Sequence, residues 1–120
     1  ALCEDVIAKT ADVLTNLWVD SDRMLANIAS QKGLVMAEKV MIELVGHGIG
    51  RDEAHEILRA ASFEAIENGE ELIDVCARTP AVAAAFSVEE LEEMFDPANH
   101  IGVSGEIVDE AVALARAAIQ

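Results

Sequence analysis

The feature that most constrains this chain is its near lack of aromatic side chains. Trp18, Phe63, Phe86 and Phe95 are the only ones in 120 residues, and tyrosine is absent. Yet 52% of the residues are apolar, so alanine, leucine, isoleucine, valine and methionine must build the core. Small and straight side chains let helices pack closely, whereas strand sandwiches draw on β-branched and aromatic residues. The length suits one ordinary domain, which buries about 65–70% of its unfolded surface. The apolar residues recur with the helical period, and no segment of useful length alternates as a strand does. The expectation is an all-α fold: a compact bundle of about five main helices plus two short ones, with no sheet.

Leu2 to about Trp18 reads as the first helix, with Val6, Val13, Leu14 and Leu17 spaced between Glu4, Asp5, Lys9 and Asp12. It starts without an N-cap, as a helix cut in mid-length does. Asp20 or Ser21 can cap a short helix through Asn27. Gly33 to Val45 is apolar on most of its circumference and should be the most buried helix. Gly46-His47-Gly48 stops it. Arg51 to Asn68 is the clearest helix: Asp52 and Glu53 suit its first turn, and Ala54, Ile57, Leu58, Ala61, Ala65 and Ile66 form a stripe. Gly69 ends it, and Glu70 to Ala77 is shorter. Thr79-Pro80 restarts the chain as N-cap and first residue of a turn through Phe86. Ser87 with Glu90 matches a capping box ahead of Leu91, Met94 and Phe95. Asp96-Pro97 breaks that helix, a loop runs from Ala98 to Val103, and Ser104 should cap the last helix through Ala118.

Charge narrows the function. There are 23 acidic against 8 basic side chains, a formal net of −15. Such a surface repels nucleic-acid phosphate and anionic lipid, so neither nucleic acid nor a membrane is expected as partner. The acids recur every few residues, as on solvated helix faces. They suit a salt-rich cytoplasm, or simply an acidic domain. No apolar run approaches the roughly 18 residues that span a bilayer. Glu4, Asp5 and Lys9 interrupt any signal-like start, and a cytoplasmic location is expected. Cys3 and Cys76 stand far apart without metal-ligand spacing, which suits buried free thiols in a reducing compartment.

The chemistry-bearing residues do not assemble into a site on the page of the sequence. His47, His55 and His100 lack the i+3, i+4 or cysteine partners that a metal needs. Glu89, Glu90, Glu92 and Glu93 sit together on a short helix, whereas acid–base pairs need a pocket that separates their pKa values. Ser30, Ser62, Ser87 and Ser104 lack a nucleophile elbow. Gly46-His47-Gly48-Ile49-Gly50 joins helix to helix and lacks the Lys-Ser/Thr of a phosphate loop. Met24, Met36, Met41 and Met94 read as core filler, and Trp18 as an anchor for the first helix. No catalytic residue, cofactor-binding residue or metal ligand is assigned, and no cofactor is expected.

Four stretches carry a family resemblance: Arg23-Met24-Leu25-Ala26-Asn27, Gly33 to Met41, Gly50-Arg51-Asp52-Glu53-Ala54-His55, and Phe95-Asp96-Pro97-Ala98-Asn99-His100-Ile101-Gly102. In order and spacing they resemble the C-terminal part of adenylosuccinate lyase, in the fumarase/aspartase superfamily. The related 3-carboxy-cis,cis-muconate cycloisomerase shares this domain type, and Gly33 to Met41 fits it about equally well. His100 stands where these families commonly carry tyrosine. The resemblance implies that residues 1–18 end a long central-domain helix and 20–120 form the C-terminal helical domain. It implies a parent that eliminates fumarate from adenylosuccinate in purine nucleotide biosynthesis, using a general base and a general acid. That parent would be a homotetramer, whose catalytic histidines and S-S-x-M-P-x-K-x-N-P loop lie upstream and do not occur here. The expected partners are the rest of that enzyme, its other subunits, and a second copy held through the first helix. A cycloisomerase parent and a free-standing interaction module remain alternatives.

Overall fold

The computed structural model describes residues 2–119; Ala1 and Gln120 lie outside the described residues. The described chain is helical throughout, without a strand. It divides into two units, residues 1–30 and 31–120.

The first unit holds α1 (Leu2–Thr15) and α2 (Ser21–Ala29). α1 ends three residues earlier than its apolar spacing suggests: Asn16 folds its amide back onto Asp12, 2.9 Å to both the carbonyl and the carboxylate. Asp20 is the cap of α2, its carboxylate accepting from the Arg23 amide at 2.8 Å. No residue of either helix is buried.

The second unit carries the core. Gly33, in the left-handed region at φ 77°, leads into a 3-10 turn at Leu34–Met36, and α3 follows at Ala37–Gly46. Next come α4 (Arg51–Asn68), α5 (Leu72–Arg78), α6 (Pro80–Ala85) and α7 (Val88–Phe95). A second 3-10 turn (Pro97–His100) leads to α8 (Ser104–Ala118). Val40 and Leu44 of α3, Ala54, Leu58, Ala61 and Ala65 of α4, Leu72, Val75 and Cys76 of α5, Val82, Phe86 and Leu91 make one buried cluster. Three of the four core residues from α4 are alanines, which lets neighbouring helices approach its axis closely.

Several expectations need correction. The compact bundle is overturned: α1, α2 and α8 bury no residue, and the core belongs to α3–α7 and the Phe86 junction. The apolar spacing of those three helices is helical, but among the described residues none of their side chains is buried. The most buried helix is not Gly33–Val45 either. α5 buries three of its seven residues, against Met36, Val40 and Leu44 among the thirteen of Gly33–Val45, whose Ile42 is 54% exposed. Ile66 drops out of the α4 stripe at 59% exposed, because it lies roughly a third of a turn from Ala65. Ser104 is the first residue of α8 rather than its cap, and its hydroxyl donates back to the Ile101 carbonyl at 2.6 Å. Thr79 stands at the N-cap of α6, but its hydroxyl donates to Val75 O at 2.8 Å and closes the end of α5. Met36 is buried, Met41 and Met94 pack against the buried cluster, and Met24 is exposed.

Candidate functional site

Of the four stretches that carried the resemblance, Arg23–Asn27 lies within α2 of the first unit, and the other three start or form corners of the second. Lys32 (φ 50°) and Gly33 (φ 77°) make two successive left-handed residues before α3. The Lys32 carbonyl accepts the Leu72 amide at 2.9 Å. Its ammonium donates to Gly69 O at 2.5 Å, a cation at the carbonyl end of α4 where the helix dipole favours one. A Cβ on Gly33 would stand 2.8 Å from Phe95 Cε1. Glycine is therefore required twice here, for its φ and for the ring beside it.

The Asp96-Pro97-Ala98-Asn99-His100 stretch is a cap built for α7. The Asp96 carboxylate accepts from the Ala98 amide at 2.9 Å and starts the 3-10 turn. That turn carries two donors back: Asn99 Nδ2 to Glu93 O at 2.9 Å and His100 Nε2 to Met94 O at 2.8 Å. A carbonyl only accepts, so Nε2 of His100 bears the proton. Ser87 caps the other end: its hydroxyl accepts the Glu90 amide at 3.2 Å, and Glu90 accepts the Ser87 amide at 2.8 Å. Beside α7 lies a hollow of about 370 Å³ lined by Lys39, Glu43, Glu90, Glu93, Asn99 and His100. Lys39 is spent on Glu43 at 2.5 Å and holds that carboxyl below its ordinary range. Among the described residues no three His, Cys, Asp or Glu side chains cluster as metal donors.

The Gly50-to-His55 stretch starts α4. Gly50 O accepts the Ala54 amide at 2.8 Å, and Ala54 is fully buried. His55 is exposed on a groove of about 370 Å³ between α3 and α4, floored by Ala37, Met41 and Leu58. Arg59 and Ser62 share that groove. Arg59 is committed to Glu56, with Nε–Oε2 at 2.8 Å, and lies 5.5 Å over the Phe63 ring. The hydrogen bond from Arg59 holds the Glu56 carboxyl below its usual range. No hydrogen bond joins His55 to Ser62 among the described residues. His47 is at the corner after α3, its Nδ1 3.0 Å from Glu43 O and its ring edge-on to Phe86 at 4.7 Å. The three histidines thus occupy three separate places.

Two arrangements were not foreseen. Arg78 reaches from the end of α5 to Glu64 at 2.6 Å and to Glu70, tying α4 to α5; only the fold brings Glu64 and Arg78 together. Lys32 on Gly69 is equally non-local. Of the two thiols, Cys76 is buried as expected, and burial pushes its pKa up to about 11. Cys3 is exposed, against expectation, because α1 has no covered face.

Polar side chains of the second unit bind its own backbone ends and form ion pairs, within α3 and within α4 and, through Arg78, between α4 and α5. This is the make-up of a helical packing domain. Compared with known families, the chain matches the family described as adenylosuccinate lyase C-terminus over residues 33–111, and it belongs to that family. It is 35% identical to the adenylosuccinate lyase of Archaeoglobus fulgidus over 92% of this chain and 25% of that protein. It is 37% identical to the nitrosuccinate lyase of Streptomyces davaonensis over 84% of this chain and 21% of that protein. It is 34% identical to the 3-carboxy-cis,cis-muconate cycloisomerase of Acinetobacter baylyi over 84% of this chain and 22% of that protein. The chain thus spans about a quarter of the length of the curated relatives it matches. No solved structure matches it. No helix is long and apolar enough among the described residues to cross a membrane.

Proposed function

We propose that this chain is the C-terminal helical domain of an adenylosuccinate lyase, whose full-length enzyme eliminates fumarate from adenylosuccinate in purine nucleotide biosynthesis. The observation that carries the reading is the family match over residues 33–111, together with adenylosuccinate lyases among its relatives. On this reading residues 1–18 end a central-domain helix and 20–120 are the C-terminal domain. The domain serves by packing in a cytoplasmic homotetramer, and it has no elimination activity alone. The breadth of apolar surface on α1 supports self-association through that helix. Leu2, Val6 and Val13 lie on one side, Ile7 and Leu14 next to them, and all are exposed.

The test uses two proteins. The 120-residue chain is expected to leave adenylosuccinate unchanged, while the polypeptide encoded with the reading frame upstream of Ala1 converts it to fumarate. Turnover by the isolated chain at a full enzyme's rate would sink the reading. A cycloisomerase parent is the second reading, favoured by the 34% identity to that enzyme. It wins if the longer polypeptide turns over 3-carboxy-cis,cis-muconate instead. A free-standing interaction module wins if translation starts near Ala1.

A further inference from the structure

The groove of about 370 Å³ between α3 and α4 has polar residues on both walls above its floor of Ala37, Met41 and Leu58. Small-molecule pockets start at roughly 300 Å³. Arg59 and Ser62 are neighbours at i and i+3 on α4, and Glu38 stands on α3. α3 ends at Gly46 and α4 starts at Arg51, so the chain doubles back on itself. Glu38, eight residues before that corner, comes level with Arg59, eight residues after it. Met41 comes level with the first turns of α4, beside His55.

These polar groups have capacity to spare. The side chains of Glu38 and Ser62 make no hydrogen bond or ion pair among the described residues. The hydroxyls of Thr10, Thr15 and Thr79 each donate to the carbonyl four residues back. Ser62, half-buried in the middle of α4, does not bond in that way. Arg59 donates from Nε and Nη2 to Glu56, and its guanidinium lies 5.5 Å over Phe63. Those contacts hold it in place and leave it further N–H donors. The α4 wall therefore suits a carboxylate, and the α3 wall suits an ammonium. A simple anion is repelled by the net charge of −15, so a carboxylate must arrive with its own cation. The apolar floor suits an aliphatic chain.

We propose that the α3–α4 groove binds a free aliphatic α-amino acid as its zwitterion. Its carboxylate meets Arg59 and Ser62, its ammonium meets Glu38, and its side chain lies over Leu58 and Met41 towards His55. The domain then has a ligand-binding role beside packing.

The test is a titration with L-leucine, followed by the methyl NMR signals of Met41 and Ala37. It is run on the 120-residue chain and on the polypeptide encoded with the upstream reading frame. Isocaproate and isoamylamine, each lacking one of the two charges, are the comparison probes. Saturable shifts are expected, with a dissociation constant on the order of 1 mM for a groove with exposed walls. Each comparison probe should bind about 5-fold more weakly, the size of one exposed ionic contact. Glu38→Gln and Ser62→Ala should each weaken leucine binding by about 3- to 10-fold. Both substitutions lie at the surface, and circular dichroism checks that the variants fold. No saturable shift at about tenfold the expected constant overturns the proposal. Equal affinity for the three probes does so too, because it leaves an apolar contact only. Binding to the short chain that is absent from the longer polypeptide also overturns it, since the groove is then covered.

Discussion

Gly33 shows how much one residue can be asked to do. Its φ of 77° and the 2.8 Å approach of Phe95 to a built Cβ should make Gly33→Ala cost about 1–3 kcal/mol. Gly48, at φ 90° with open space around it, tests the backbone part alone, and Gly48→Ala should cost about 1 kcal/mol. Urea unfolding of both variants checks the order; equal losses would remove the Phe95 contribution. The thiols provide a second prediction at this scale. With its pKa raised to about 11, buried Cys76 is nearly all thiol at pH 8. Iodoacetamide at that pH should label exposed Cys3 and spare Cys76, which mass spectrometry of the peptides would show. The sequence placed both thiols inside. It could not separate them, because burial depends on what packs over a helix and not on the residue itself.

At the level of single elements, local sequence and structure agree where the stabilising contacts are local. The Ser87–Glu90 capping box is visible in the sequence because its two hydrogen bonds span three residues. Ser87→Ala should cost about 1 kcal/mol. The Asp96–His100 cap is also short-range, but its action is legible only as Asp-Pro ending a helix. The return of Asn99 and His100 to Glu93 and Met94 depends on the 3-10 turn. Asn99→Ala removes one of those donors and should cost about 0.5–1.5 kcal/mol by denaturant titration; no change would mean that water replaces the amide. The Ser104 and Thr79 hydroxyls went the other way, each to a carbonyl behind it. A hydroxyl both donates and accepts, so its type marks a helix end without saying which end it serves.

The whole molecule adds the charge and the exposed faces. At −15, like charges repel across a chain of 12.8 kDa, and salt screens them. The melting temperature is expected to rise from low to molar salt, and an unchanged value removes repulsion as a significant term. The core should respond locally. Leu44, fully buried among α3, α4 and their neighbours, should cost about 2–5 kcal/mol when cut to alanine. Helix existence, most boundaries and the turn residues were legible in the sequence, because the 3.6-residue period, glycine stops and caps act over a few residues. So was the family, since Gly33, Gly50–His55 and Asp96–His100 are corners whose geometry demands particular residues. The candidate site contained no catalytic set to read, and the pairings that do exist, Arg78 with Glu64 and Lys32 with Gly69, join distant positions. Only the tertiary structure decided which helices own the core. α1, α2 and α8 carry apolar stripes as good as those of α3–α7, but periodicity records only that a helix has a face to bury; whether a partner covers that face depends on contacts between segments far apart in the chain.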